Sequence, residues 1–471
     1  MQDSPIFLPL REQHARLRAG TLTATTLAEA SIAAYQQRGK HDHAYLTWNG
    51  EQTLAMAKAS DTVLAQGGDV GALMGIAVSI KDIYAVPGLP TYAGSSQRLP
   101  KRWESAGPVV SALLKQLPSV MGKTHSVEFA FGGLGTNAHW GTPRNPWDIG
   151  QHRVPGGSSS GAGVSLVSGT ASLALGTDTA GSVRIPASMT GVVGLKTTAG
   201  RWSTQQIVPL STTLDTPGLL ALRVDDLAFA FDGLDGQLGD GARGGNDDRI
   251  PAIPVLADLT FGVPETFFWD DCSPGIAETV RAAIKQLEGA GARIVTLELP
   301  GIEEAYELFK LGGVAAAELA AFLKTALPEM IASLDPNVAA RIAAADDMPA
   351  WEYVRRRTVL DSLYQSAAAR MADVDAVLTP TVAITPPTIE SLQPEGAYSK
   401  ANMHALRNTV IANFLGLCAL TLPVGKDAAS MPVGLQVLGG PWQDAKLLAI
   451  GQTIENELGT GLDILGHPPM L

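Results

Sequence analysis

Two cysteines, Cys272 and Cys418, are all that the 471 residues contain, and no CxxC pair occurs. Their scarcity excludes a disulfide framework and a cysteine-built zinc ribbon, and it fits a reducing compartment, so a cytoplasmic location is expected. Charge is sparse as well: Asp, Glu, Lys and Arg make up 17% of the chain, and the formal net charge is −12. With no broad basic surface, nucleic acid is not expected as a partner. No apolar run reaches the roughly 18 residues that a bilayer-crossing helix needs. The opening stretch MQDSPIFLPLREQ has no basic segment leading into a long apolar one, so neither a signal peptide nor a membrane span is expected. His41 and His43 stand close together, but no HExxH or similar spacing follows, and both read as surface residues; no metal and no cofactor is expected.

Glycine and proline, by contrast, are plentiful, with 50 and 30 residues spread along the chain, which suggests many tight connections. The densest stretch is Pro155 to Pro186, PGGSSSGAGVSLVSGTASLALGTDTAGSVRIP. Two polar clusters, 156–161 and 176–182, flank a largely apolar run. Glycine lets several backbone N–H groups converge on one point, and serine adds hydroxyls that can relay protons or attack. A flexible linker would not carry the buried apolar pattern in between.

Periodicity places the remaining elements. Residues 10–37 read as two amphipathic helices broken at Gly20, with Thr23 or Thr26 as the second N-cap and Thr26 with Glu29 fitting a capping box. Residues 51–66 read as a helix, 73–80 as a buried strand, 107–117 as a helix, and 119–121 as the start of another strand. Further strands are expected at 191–196, 259–264, 292–297, 374–379, 417–424 and 433–439. Helices are expected at 224–234, 275–289 and 443–458, with an alanine-rich helical region over 302–372. The run 237–248 reads as an exposed loop. This alternation predicts an α/β fold with one large central mixed β-sheet covered by helices on both faces, in a single domain spanning 1–471.

A serine nucleophile needs a base and donors for its oxyanion. Gly157-Ser158-Ser159-Ser160-Gly161 matches the GxSxG elbow with Ser159 central, but that elbow needs a strand before it, and residues 151–156 are polar and broken by Pro155. Gly122-Lys123-Thr124 resembles the end of a P-loop, yet Leu117 stands where its first glycine belongs. A GxGxxA match at Gly133, Gly135 and Ala138 has no strand leading in and no helix leaving, so the loop 128–148 reads as a pocket wall. Lys81 ends a buried strand. Such a lysine either snorkels out or pairs with Asp82, or burial lowers its pKa until it can serve as a neutral base.

Taken together, IAVSIKD, GGSSSGAG, GTDTAGSVRIP and GVVGLK resemble the amidase signature family, as do KTHSVEFAFG, GTPRNPWD, VLTPTVAITPP and the C-terminal LPVGKDAASMPVGLQVLGGPWQDAKLL. The resemblance implies hydrolysis of an amide by a Ser-Ser-Lys triad, with Ser182 as nucleophile, Ser158 as bridging serine and Lys81 as base. It implies a cis peptide bond between Gly157 and Ser158. Backbone N–H groups of Thr179, Ala180, Gly181 and Ser182 would hold the oxyanion, and Ser159, Asp178 and Arg184 would support the loop. Position 160 is serine, and Ala180 stands in the oxyanion turn, where many relatives have glycine at each. Catalytic motifs would lie within about 60–235. Phe131, Gly132, Gly133 and Leu134, with parts of the helical region at about 300–372, would line a pocket for a small carboxamide or aryl amide. The alternative is the glutamine-hydrolysing A subunit of a tRNA-dependent amidotransferase; a homodimer is compatible with either.

Overall fold

The computed structural model describes residues 4–238 and 249–469. Its first part holds α1 (Leu10–Arg18), α2 (Ala24–Asp42), β1 (Tyr45–Trp48), α3 (Gly50–Ala65), β2 (Ala77–Lys81), α4 (Pro108–Leu114) and β3 (Ser119–Thr124). The Gly/Ser-rich stretch supplies α5 (Ser160–Val167), β4 (Leu173–Asp178) and α6 (Arg184–Thr190), and β5 (Val193–Lys196), β6 (Thr216–Ala221) and α7 (Val224–Leu238) follow. Then come β7 (Thr260–Val263), α8 (Ile276–Gly289) and β8 (Arg293–Thr296). Four helices occupy the alanine-rich region: α9 (Ile302–Lys310), α10 (Ala315–Ala326), α11 (Pro336–Ala343) and α12 (Ala350–Arg370). The chain closes with β9 (Ala376–Pro380), α13 (Ala397–Phe414), β10 (Cys418–Lys426), β11 (Pro432–Gly439), α14 (Asp444–Leu458) and α15 (Gly461–Leu465).

All eleven strands join one sheet in the order β1-β3-β2-β4-β6-β5-β10-β11-β9-β7-β8. It is mixed: β2 runs parallel to β3 and β4, and β7 parallel to β8 and β9, while the other neighbours are antiparallel. Because side chains alternate across a strand, neighbouring residues feed different cores. Val78, Ile80, Leu173, Leu175, Leu219 and Leu420 pack into a core shared with α7, α8 and α14. Ala174 and Leu220, and farther along Ala419 and Leu438, pack into two others with α6 and α13. The expected α/β architecture is thus observed. Among the described residues no helix is long and apolar enough to cross a membrane.

Local differences from the sequence reading have physical causes. The second helix is capped by Thr23, whose side chain accepts from the Thr26 N–H, and Asp61 of α3 takes the next N–H groups, of Ala24 and Thr25. No box forms at Thr26. The strand expected from Leu73 begins only at Ala77, since 73–76 turn through Gly75 at φ 79°, a left-handed conformation that also brings its backbone against Ala24. The strands β1, β4 and β6 and the helices α5, α6, α13 and α15 were not expected: β1 is a four-residue edge and β6 contains Pro217. Of the loop expected at 237–248, Gln237 and Leu238 end α7, and the rest lies outside the described residues.

Candidate active site

Parallel registration sets Val78 beside Leu173 and Ile80 beside Leu175, so Ser79 and Lys81 face the opposite side of the sheet, where α5 packs. Ser79 Oγ lies 2.9 Å from Ser165 Oγ of that helix. Two residues farther on, Lys81 is fully buried, and its Nζ lies 2.8 Å from both Ser158 Oγ and Thr177 Oγ1. Burial pulls its pKa down to about 7, against the opposing pull of the Asp215 and Asp178 carboxylates. At neutral pH a large share of this amine is therefore unprotonated. The snorkelling and the Asp82 readings do not hold, for Asp82 pairs with buried Lys123 at 3.2 Å.

The peptide bond between Gly157 and Ser158 is cis. Ser159 donates its N–H to the Ser182 carbonyl at 3.2 Å, which joins the loop before α5 to the turn after β4. Contacts from the Ser159 hydroxyl to the Thr177 backbone are longer, at 3.4 Å. Ser182 is 4% exposed and opens into a cavity of about 270 Å3. Phe131 and Gly132 form part of its wall together with Thr179, Ala180, Leu210, Leu214 and residues of α9 to α11 and α13. Gly133 and Leu134 do not line it, contrary to the sequence expectation: the Gly133 N–H is held by Asn402 Oδ1 at 2.7 Å, and Leu134 is wholly inside the core.

The turn 178–184 is fixed by one buried ion pair. Arg184 binds Asp178 through Nε and Nη2, at 3.0 and 2.9 Å, and both side chains have no exposed surface. Arg184 also donates to Thr409 O, Asn413 Oδ1 and Gln436 Oε1, so the pair is satisfied on all sides. Burial alone would raise the Asp178 pKa, but the guanidinium overrides it and holds the carboxyl well below the usual range. A surface pair this is not. Gly181 sits at φ 134°, and a Cβ there would meet Thr409 Oγ1 at 2.2 Å, so glycine is required on both counts.

One expected oxyanion donor is otherwise engaged: the Gly181 N–H donates to Asp178 Oδ1 at 2.8 Å. The N–H groups of Thr179, Ala180 and Ser182 have no acceptor among the described residues. Sequence reasoning missed Asp215, which accepts from Thr179 Oγ1 at 2.6 Å and from the Leu210 and Ser211 N–H groups at 3.0 Å each. Burial raises its pKa to about 6. It follows a plain Ser-Thr-Thr-Leu run that carries no motif, so spacing could not have marked it. Thr177 lay inside the quoted cluster without a role. His43, expected at the surface, caps α2 and packs edge-on against buried His125 at 4.5 Å between ring centres.

Known proteins resemble this chain over nearly its whole length. The family model "Amidase" matches residues 26–448. A 2-amino-5-chloromuconic acid deaminase of Comamonas testosteroni is 51% identical over 98% of this chain and 99% of its own length. The glutamyl-tRNA(Gln) amidotransferase A subunit of Chloroflexus aggregans is 31% identical over 95% of this chain and 96% of its own. Among solved structures, an amidase superposes with TM-score 0.85 at 29% identity, covering 96% of this chain and all of that one. A peptide amidase of Stenotrophomonas maltophilia gives 0.80 at 26%, covering 98% and 99%. The length of the family match and the share of these chains it spans establish that this protein belongs to the amidase family, as an enzyme that hydrolyses amide C–N bonds.

Proposed function

We propose that the hydrolysis runs through an acyl-enzyme on Ser182, with Ser158 as proton relay and Lys81 as base. The observation that carries this reading is the buried 2.8 Å contact between Lys81 Nζ and Ser158 Oγ, one loop contact away from a serine that faces the cavity. Neutral Lys81 accepts the Ser158 proton, and Ser158 accepts that of Ser182 as Ser182 Oγ attacks the amide carbon. The free N–H groups of Thr179, Ala180 and Ser182 receive the oxyanion. Collapse breaks the C–N bond, the proton returns through Ser158 to the leaving nitrogen, and ammonia or an amine departs. Water then repeats the cycle on the acyl carbon and releases the acid.

The apolar wall around Ser182 supports a small carboxamide or aryl amide as substrate, free cysteines support a cytoplasmic setting, and one sheet drawing strands from residues 45–439 supports a single domain. Release of ammonia or an amine by the purified chain from aliphatic amides, aryl acetamides, anilides, ureido acids and glutamine tests the reading. Turnover of one class, lost at least a thousandfold in Ser182→Ala with the melting temperature unchanged, is expected; full activity in that variant would sink it. The relatives named as amidotransferase A subunits favour a second reading, in which glutamine is hydrolysed only with partner subunits present. Silence of the lone chain toward the whole panel would favour that reading. Light scattering reads whether the chain forms a homodimer.

A further inference from the structure

The cavity beside Ser182 is apolar along most of its wall, where Leu214, Phe309, Val314, Leu406 and Phe414 stand, but one charged group is set into it. Arg341, in the last turn of α11, crosses to the loop before Gly132. There its Nη1 donates to the Phe131 carbonyl at 2.8 Å, and its guanidinium carbon lies 3.5 Å from the centre of the Phe131 ring. Among the described residues no carboxylate lies within ion-pair distance of it. The other cation at the wall, Lys310, is paired with Glu307 and close to half exposed. Burial lowers the Arg341 pKa only to about 10, so the group remains cationic at neutral pH.

An unpaired guanidinium against apolar side chains is costly, and the cost is offset when an anion arrives with the ligand. Stacking on Phe131 fixes the guanidinium plane, and the carbonyl of the same residue occupies a single N–H. The remaining N–H groups keep the forked geometry that matches a carboxylate. We propose that Arg341 binds a free carboxylate of the substrate, so that the preferred substrates are small amides whose acyl part carries a second, ionised carboxyl group, such as monoamides of dicarboxylic acids. The proposal rests on amide hydrolysis at Ser182. It makes Arg341 a specificity-determining residue: it anchors the distal end of the molecule and leaves the amide end to the serine.

The alternative role for Arg341 is to fasten α11 to the Phe131 loop, which would affect all substrates alike. The test therefore compares each of the four- to seven-carbon monoamides, from succinamate upward, with the neutral diamide of the same length. In Arg341→Met the ratio of kcat/KM for acid over diamide is expected to fall about a hundredfold, mostly through KM, since truncating one partner of a buried charge pair has effects of that order. Arg341→Lys, which keeps the charge and loses the fork, should fall between. A ratio that stays within threefold, or equal loss on both substrates, would overturn the proposal. Calorimetry on Ser182→Ala separates it from the catalytic reading: the acid should bind this inactive form, and the Ser182→Ala, Arg341→Met double variant should bind it far more weakly. A wild-type chain that cleaves no amide but shows that binding difference fails the hydrolytic reading and keeps this one; acid and diamide binding alike to Ser182→Ala overturns this one.

Discussion

Lys81 is removed from water on all sides, and rate and stability should both rise with pH, in successive windows. As a base it must be neutral, so kcat/KM should rise about tenfold per pH unit below about 7 and level off above it. The Asp215 carboxylate raises the Lys81 pKa, so Asp215→Asn should move this acid limb to lower pH; a limb that stays in place or moves up would contradict the assignment. For stability, the unfolded lysine near 10.5 keeps a proton that the folded one has lost above about 7. Stability from this group therefore rises with pH between those values, and below about 7 its buried charge weighs on the fold. How much of the site could be read from sequence follows the same line. Serine, glycine and lysine announce chemistry by type and clustering, whereas Asp215 and Arg341 are ordinary residue types in unremarkable runs and gain meaning only from what the fold sets beside them.

Among the elements, the turn between β4 and α6 is the part on which the site depends, and Arg184 with Asp178 holds it. Removing one member strands the other's charge in the interior, an effect on the order of 3–5 kcal/mol. Arg184→Met should thus melt many degrees lower than wild type, and adding Asp178→Asn should recover part of the loss. A single-variant melting temperature within a degree of wild type would show that the pair is not what fixes the turn. The strands with plain alternation or apolar runs, such as β10 and β11, were legible because their burial is written into consecutive residues. β6 was not: Pro217 argues against a central strand, yet the register opposite Thr177 accommodates it. Thr23 rather than Thr26 caps α2 because Asp61, distant in sequence, completes the cap at the positions that follow Thr23.

Across the whole molecule, the mixed sheet brings Lys81 from the end of β2, Ser158 and Ser182 from the turns on either side of α5 and β4, and the cavity wall from helices far along the chain. The α/β class was visible in the alternation of elements, but the strand order was not, because pairing depends on contacts that no local pattern records. Every step of the proposed reaction starts from Ser182 as the nucleophile of this assembly. Peptide mapping by mass spectrometry after treatment with a serine-directed sulfonyl fluoride reads that residue out. A single sulfonyl adduct is expected on Ser182, slowed in Lys81→Met and absent in Ser182→Ala; an adduct on Ser158 or Ser159, or one that persists at full rate in Ser182→Ala, would contradict the assignment.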